Sequence, residues 1–309
     1  MFRKVKFSIR LKVALTILVL LSTAVSLYFL FAANLFRQYK EAYIYEQGLN
    51  HGKALTKQTN IFFKQAANEL ALISTLRFDE KQSNLVEQLF KNNESMVGIF
   101  IYDDQGVIPY KNTKPERLSQ LNVDAKVLES EVQAASGFKA KLLSESRLVR
   151  FLKSEGQISL FYFHVYDPAN KLYLLGVLDA ASLVQTFKES KIYESILLDS
   201  AGTPIINPSA RVFEEGNKDW KSILESKSQT GTKKVEFESQ GTFLATFSAI
   251  EDLGLRVIAQ IEIKEAFRAL NFLLQMSGLF ALFIICIGVI SAIFGARQLT
   301  RPVQALMDG

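Results

Sequence analysis

The side chains that most often perform catalysis or bind metal ions are few and scattered along this chain. The two histidines, His51 and His164, lie far apart in the sequence, and the only cysteine, Cys286, falls within a long apolar run. This spacing excludes a His/Cys zinc site, whose ligands come in close groups. The neighbouring carboxylates Asp103 and Asp104 fit a turn better than an acid/base pair, and no Gly-rich phosphate loop or nucleophile elbow is present. The sequence therefore predicts no catalytic, metal or cofactor site in these residues, and leaves open an enzymatic domain in a longer protein.

Two uncharged apolar runs enclose a polar middle region. The first extends from Val13 to Ala33 and the second from Ala269 to Ala296. A helix rises ~1.5 Å per residue and the hydrocarbon core is ~30 Å thick, so both runs are long enough to span a membrane. A cleaved signal peptide and buried core helices are the alternatives. The first run is longer than the core of a signal peptide, and a soluble fold gives no reason for the second. Two spans around one exported domain are typical of receptors.

Charge predicts the orientation of the spans. Residues 1–12 contain several basic side chains and no acidic one, and Arg297 and Arg301 follow the second run. By the positive-inside rule both termini are cytoplasmic and residues 34–268 are periplasmic or extracellular, at a bacterial inner membrane. Those residues hold 29 basic and 30 acidic side chains, because the two ends account for 7 of the 36 basic and 1 of the 31 acidic residues. The basic ends therefore predict contact with membrane lipid and give no evidence for nucleic-acid binding.

A strand–turn–strand pattern occurs twice in the middle region. Asp103 and Gly106 in the first copy correspond to Asp199 and Gly202 in the second, at a constant offset. Each Asp-x-x-Gly lies between apolar strands and predicts a tight structural turn, in which Asp accepts backbone N–H bonds and Gly supplies a positive φ. A helical stretch and three strand-like runs follow each copy. The sequence therefore predicts a duplicated α+β module built on a five-stranded sheet.

Helices are predicted between these parts. Residues 34–76 show apolar side chains at helical spacing, although Gly48 and Gly52 weaken the pattern. A linker helix begins after the first copy, with Asp179 or Ser182 as its N-cap. The predicted segments are the N-terminus (1–12), the first span (13–33), a long stalk helix (34–79), a first module (80–180), a linker helix with a second module (181–268), the second span (269–296) and a C-terminal stretch (297–309).

These features resemble the double Cache sensor domain of bacterial transmembrane receptors. The resemblance covers about residues 34–268 and rests on the long helix, the two Asp-x-x-Gly turns and the passage Gly176–Leu183, which is similar to the close of a Cache module. It implies an α+β membrane receptor in which two transmembrane helices flank a tandem Cache (PAS-like) extracytoplasmic domain. The first module would be the membrane-distal one and the second the membrane-proximal one.

The last residues resemble the opening of a HAMP linker. Thr300, Arg301 and Pro302 match the turn that starts its first helix, and Val303 and Leu306 would begin its apolar seam. An ordinary juxtamembrane tail is the alternative. The stretch is too short for a whole HAMP unit, so the resemblance implies a missing output domain of chemotaxis or two-component signalling, such as that of a chemoreceptor, histidine kinase or nucleotide cyclase. It also implies a homodimer.

The same resemblance implies a small-molecule site in the first module, for an amino acid, a carboxylate or an amine. Amino-acid-binding members use an Arg for the carboxylate, an Asp for the ammonium group and aromatic walls. Arg147 and Arg150 lie where the family Arg is expected, and Asp179 lies at the closing position of the motif. The candidate walls are Phe151, Tyr162 and Tyr166. The Trp-Tyr pair of those members is missing, because the only tryptophan is Trp220 in the second module.

Each candidate residue has a structural alternative. The two arginines are three apart, so one of them would face solvent, while Asp179 would cap a helix and the aromatic side chains would fill a core. The predicted function is ligand sensing, with a helix shift passed through HAMP to the output domain. The rivals are an envelope protein–protein interaction module without a small-molecule ligand, and an exported enzyme.

Overall fold

The computed structural model describes residues 9–76, 83–103, 105, 108, 110–134, 139–154, 157–209, 218–237 and 241–307. The helices are α1 (Ile9–Leu76), α2 (Ser83–Asn92), α3 (Pro115–Gln120), α4 (Ala125–Ala134), α5 (Lys139–Glu145), α6 (Ala181–Lys188), α7 (Lys218–Leu224) and α8 (Ile263–Met307). The strands are β1 (Met96–Tyr102), β2 (Tyr110–Thr113), β3 (Arg147–Ser154), β4 (Gln157–Asp167), β5 (Leu172–Asp179), β6 (Glu194–Leu198), β7 (Pro204–Ile206), β8 (Thr230–Phe237), β9 (Gly241–Ile250) and β10 (Leu255–Glu262).

The ten strands form two antiparallel sheets with the same internal order. The first sheet runs β2-β1-β5-β4-β3 and the second runs β7-β6-β10-β9-β8. In each, a hairpin is followed by helix and then by three consecutive antiparallel strands, so corresponding strands occupy corresponding places. The predicted mixed fold, with its two five-stranded sheets and long N-terminal helix, is confirmed.

The hairpin turn of the second sheet has the predicted chemistry. Asp199 Oδ1 accepts the N–H groups of Ala201 at 2.9 Å and Thr203 at 2.7 Å. Gly202 has a φ of +85°, a conformation that costs a side-chain-bearing residue more than glycine. In the first sheet Asp103 Oδ1 accepts the N–H of Gln105 at 2.8 Å, while Gly106 lies outside the described residues.

One face of α1 supplies the core that α1 shares with both sheets. Its buried side chains include Phe63, Ala66, Leu70 and Ile73, which recur at helical spacing. They pack in one apolar cluster with residues from the first sheet, such as Phe161 and Phe163, and from the second sheet. A second cluster lies on the other face of the first sheet beneath α3, α4 and α5, and a third lies on the other face of the second sheet.

The glycines that weakened the helix prediction lie inside α1 without interrupting it. A Cβ atom at position 48 would lie 3.0 Å from Thr246 Cγ2 and 3.1 Å from Tyr193 Cε1. Gly48 therefore gives up helix propensity, about 1 kcal/mol relative to alanine, at a place where the helix backbone closely approaches the second sheet.

The chain divides into two compact units, Met1–Ile44 with Ile263–Gly309, and Tyr45–Glu262. In the first unit, α1 and α8 each contain a stretch long and apolar enough to cross a membrane, with mean hydropathies of 2.3 and 2.5. The two stretches meet at glycines: a Cβ at Gly278 would lie 3.7 Å from Phe29 Cζ. Their outward side chains, such as Leu20 and Phe280, are exposed apolar groups of the kind that suits lipid.

The predicted helix start at Pro302 is not seen. Helix α8 runs without a break from Ile263 to Met307 and includes Pro302. Proline removes one backbone N–H bond and crowds the preceding turn, but this alone does not require a helix to end.

Candidate functional site

A cavity of about 560 Å³ opens at one end of the first sheet. It is lined by α1, α2, the segment before β1, the first residues of α6, Arg117 of α3 and Asp179, the last residue of β5. The walls combine apolar side chains with both signs of charge, which is the composition expected of a pocket for a small polar ligand.

The charged pair of this cavity is formed by Arg117 and Asp179. Asp179 Oδ2 accepts from Arg117 Nε at 2.8 Å and from Nη2 at 2.5 Å. The Asp179 side chain is 7% exposed and that of Arg117 is 41% exposed. A mostly buried carboxylate therefore holds a guanidinium group whose other side is open to solvent, and such charge-assisted bonds orient the planar group firmly.

Backbone contacts fix the position of Asp179. Its N–H donates to Ser95 O at 2.7 Å across the strand pair, and its Oδ1 accepts from Ala181 N at 2.9 Å at the start of α6. The N-cap position itself is occupied by Ala180, so Asp179 precedes the cap by one residue while still satisfying a helix N–H. Ser182, the other predicted cap, lies inside the helix.

Arg117 is positioned by the start of α3. Pro115 occupies an early helical position, where it loses no hydrogen bond, and the neighbouring Leu118 is buried against the first sheet. Arg117 then lies at the rim of the cavity, where Nη1 donates to Gln120 Oε1 at 2.8 Å. The three hydrogen bonds of this guanidinium leave further N–H donors on its nitrogens for an incoming acceptor.

A second polar group borders the same cavity. Asn93 Oδ1 accepts from Ser95 N at 2.9 Å and from Met96 N at 2.8 Å, which fixes the entry to β1. Its Nδ2 donates to Glu69 of α1, whose carboxylate lines the cavity. Lys114 donates to Asn93 O from the other side. Burial lowers the pKa of Lys114, and the nearby acidic charges partly oppose this effect.

This arrangement can bind a molecule that carries both charges. The unused donors of Arg117 suit a carboxylate, whereas Glu69 and Glu94 suit an ammonium group. Across the described ranges, no three His, Cys, Asp or Glu side chains group as metal ligands would.

The structure gives Asp179 a different arginine partner from the sequence-based candidates. Arg117 contacts it, whereas Arg150 Nη1 donates to Glu131 Oε1 at 2.7 Å. Arg147 lies opposite Val165 and Arg150 lies opposite Tyr162 in the β3–β4 register, so the two arginines are on opposite faces of the sheet. The prediction that only one of them could face a given site is confirmed, but neither lines the cavity at Asp179.

The three candidate aromatic residues are also divided between the faces. Phe151 packs with the α1 cluster, while Tyr162 and Tyr166 pack with the cluster beneath α3–α5. They therefore do not wall one pocket together. The alternation of side chains along β3 and β4 causes this division. The side chain of Trp220 lies outside the described residues.

Sequence reasoning missed Arg117. Its helix is short, and it reaches Asp179 across 62 residues of chain. The only local signal was Pro115, which marks a helix start two residues earlier. No spacing rule links a helix start to the end of a strand so far along the chain.

Comparison with known proteins identifies the fold. No protein-family model and no curated protein matches this chain. Solved structures do match. One is the ligand-binding domain of the Pseudomonas fluorescens chemoreceptor CtaA in complex with L-isoleucine, 12% identical, covering 76% of this chain and 98% of that one, with a TM-score of 0.50.

Two others are extracellular domains of putative histidine kinases. That of vpHK1S-Z8 is 14% identical and covers 74% of this chain and 96% of that one, with a TM-score of 0.52. That of rpHK1S-Z16 is 14% identical and covers 73% and 97%, with a TM-score of 0.51. At these identities the similarity establishes a shared fold.

Proposed function

We propose that this chain is the exported ligand-sensing part of a two-span bacterial receptor. Its ligand is a small molecule with a carboxylate and an amino group, which binds in the cavity beside Arg117 and Asp179. The single observation that carries this proposal is the geometry of that pair: a mostly buried carboxylate orients a half-exposed guanidinium group at the mouth of a cavity. Glu69 and Glu94, which line the same cavity, supply the opposite charge.

The shared fold supports the same function. The chemoreceptor domain with this fold was solved with L-isoleucine, an amino acid. The two histidine-kinase domains are likewise extracellular parts of signalling proteins. A ligand shifts such a receptor only by binding one of its arrangements more tightly than the other.

Replacing Arg117 by glutamine should weaken ligand binding about tenfold or more. A charge-assisted hydrogen bond contributes about 1.5–3 kcal/mol, and glutamine keeps a polar side chain but offers no paired cationic donors. The measurement is calorimetric titration of the full chain in detergent micelles with a panel of amino acids, carboxylates and amines.

The matched control is Arg147→Gln, an arginine of the same module that does not line the cavity. Its affinity should equal that of the unchanged protein. Equal affinities in both variants would place the ligand elsewhere. No binding of any probe by the unchanged, folded chain would favour the protein–protein interaction module instead.

We also propose that residues 34–268 are exported and that both termini are cytoplasmic. In a Cys286→Ser background, a cysteine introduced by Ser200→Cys should react with a membrane-impermeant maleimide on intact cells, because Ser200 is exposed in the second module. The Thr300→Cys control should react only after lysis. The reverse pattern would contradict this orientation.

The proposal also includes how ligand binding is transmitted to the cytoplasm. Residues 297–309 begin a HAMP linker, and the tandem modules work as a homodimer of Cache type that passes a helix shift to a cytoplasmic output domain. The continuous helix α8 supports a rigid connection as far as Met307. Light scattering of the solubilised chain should give the mass of two copies, and the mass of one copy would count against the dimer.

A further inference from the structure

A buried polar cluster lies on the face of the first sheet that α4 covers. At its centre is His164, which is fully buried. Its Nε2 lies 3.3 Å from Glu131 Oε1 and its Nδ1 lies 3.1 Å from the Tyr102 hydroxyl. The same Glu131 oxygen accepts from Arg150 Nη1 at 2.7 Å. One carboxylate oxygen is therefore shared between a histidine and an arginine.

The hydrogen bonds determine the tautomer of His164. An ionised carboxylate only accepts, so Nε2 must carry the hydrogen that points to Glu131. Nδ1 is then an acceptor, and the Tyr102 hydroxyl donates to it. In this state the imidazole is neutral and the cluster carries one negative and one positive charge, on Glu131 and Arg150.

Among the described residues, one tyrosine hydroxyl beside this cluster has no hydrogen-bond partner. Tyr162 Oη is buried and makes no hydrogen bond within the described part of the chain. Burial raises the pKa of Tyr162 to about 12, and the charge of Glu131 raises it while Arg150 opposes. A buried donor without a hydrogen-bond partner costs free energy, so the present arrangement of the cluster leaves the Tyr162 hydroxyl unsatisfied.

Titratable side chains from several packed elements share this face with His164. They are Tyr102 on β1, Arg150 on β3, Tyr162 and Tyr166 on β4, Tyr173 on β5 and Glu131 on α4, with Lys139 of α5 lying 5.5 Å from the Tyr173 ring centre. Glu131 is the one acid among them. Burial lowers the pKa of His164, Arg150 lowers it further, and Glu131 partly opposes both.

We propose that the first module responds to acidification as a second input. When His164 is protonated, the Glu131 carboxylate, which is shared between Arg150 and His164 in the neutral state, forms an ion pair with His164 instead of with Arg150. The proton comes from solvent and adds to Nδ1. The Tyr102 hydroxyl then becomes the acceptor of that hydrogen, and its own hydrogen no longer has His164 Nδ1 as an acceptor. Arg150, repelled by the imidazolium and half-exposed, moves its charge into solvent.

The sign of the effect on stability follows from linkage. The pKa of His164 in the folded protein lies below its ordinary value of 6.5, so the unfolded chain binds the proton more readily. The free energy of unfolding therefore falls as the pH decreases below 6.5. The residues that contact one another around His164 do not line the cavity at Asp179, so the response to acid does not depend on the ligand site. These residues are Tyr102, Glu131, Arg150 and His164 itself.

The test is a nuclear magnetic resonance titration of the imidazole groups in the full chain. The protein has only two histidines, so the ring signals can be assigned with a His51→Gln variant. The His164 signal should titrate with a midpoint below 6.5. Arg150→Gln should raise that midpoint because it removes a repelling cation, and Glu131→Gln should lower it because it removes the partner of the imidazolium.

Glu129→Gln is the matched control. Glu129 is also on α4 but pairs with Lys111 at the surface, so its loss should leave the His164 midpoint unchanged. If Glu131→Gln does not fold, the His164 midpoints in the Arg150→Gln and Glu129→Gln variants still test the proposal. A His164 signal that does not titrate before the module unfolds, or a midpoint that Arg150→Gln does not raise, would overturn the proposal.

Discussion

Replacing Phe63 by alanine should lower the free energy of unfolding by about 3–5 kcal/mol, the usual cost of truncating a buried phenylalanine. Phe63 is 1% exposed and lies where α1 meets the first sheet. Its ring centre is 5.3 Å from that of Phe161, edge to face, and 5.4 Å from that of Phe163. The substitution removes these two contacts with the sheet, together with the contact to the Phe62 ring at 5.2 Å, and leaves a cavity that a sheet and a long helix cannot easily close. Urea unfolding of the full chain measures the effect.

Ile61→Ala is the control on the same helix. Ile61 is 52% exposed, so its truncation should change the free energy of unfolding by no more than about 0.5 kcal/mol. Similar losses in both variants would mean that the α1 cluster is not the principal core of this unit. A loss confined to Phe63→Ala would identify the contact between α1 and the first sheet as a main source of stability.

Replacing Asp179 by alanine should abolish ligand binding and lower the free energy of unfolding by about 1–3 kcal/mol. The substitution removes the acceptor for the Ala181 N–H and both acceptor contacts of Arg117. Arg117 is half-exposed and stays solvated, which limits the cost to stability. Its guanidinium group is no longer held at the cavity, so the loss of binding should exceed the loss of stability. Calorimetry and urea unfolding measure the two effects separately.

Asp199→Ala provides the comparison for this variant. Asp199 also accepts backbone N–H bonds at a turn, in the second module, but no arginine contact to it is described. Its loss should lower stability by a similar amount, about 1–2 kcal/mol, while ligand affinity stays unchanged. Equal binding losses in the two variants would show that general destabilisation, and not the Arg117 contact, is responsible.

Local features of the fold were predictable from the sequence. The Asp199–Gly202 turn depends on residues within four positions of one another, and the apolar face of α1 depends on a spacing that any helix shares. The order of the strands followed from the same short-range patterns, which then repeated in the second module, whereas the short helices α2, α3 and α5 were not predicted. The separate helix start predicted at Pro302 is not seen, because α8 continues through this residue to Met307.

The amino-acid sequence by itself determined the two apolar stretches, the duplicated order of strands and the position of Asp179 at the close of β5. Only the tertiary structure decided which side chains meet. Asp179 contacts Arg117 because α3 packs over the end of β5, and Arg150 contacts Glu131 because α4 crosses the same face. The physical reason is that the periodicity of a helix or strand relates residues only a few positions apart. The Arg117–Asp179 and Arg150–Glu131 pairs join residues 62 and 19 positions apart, so they depend on how the helices pack against the sheet.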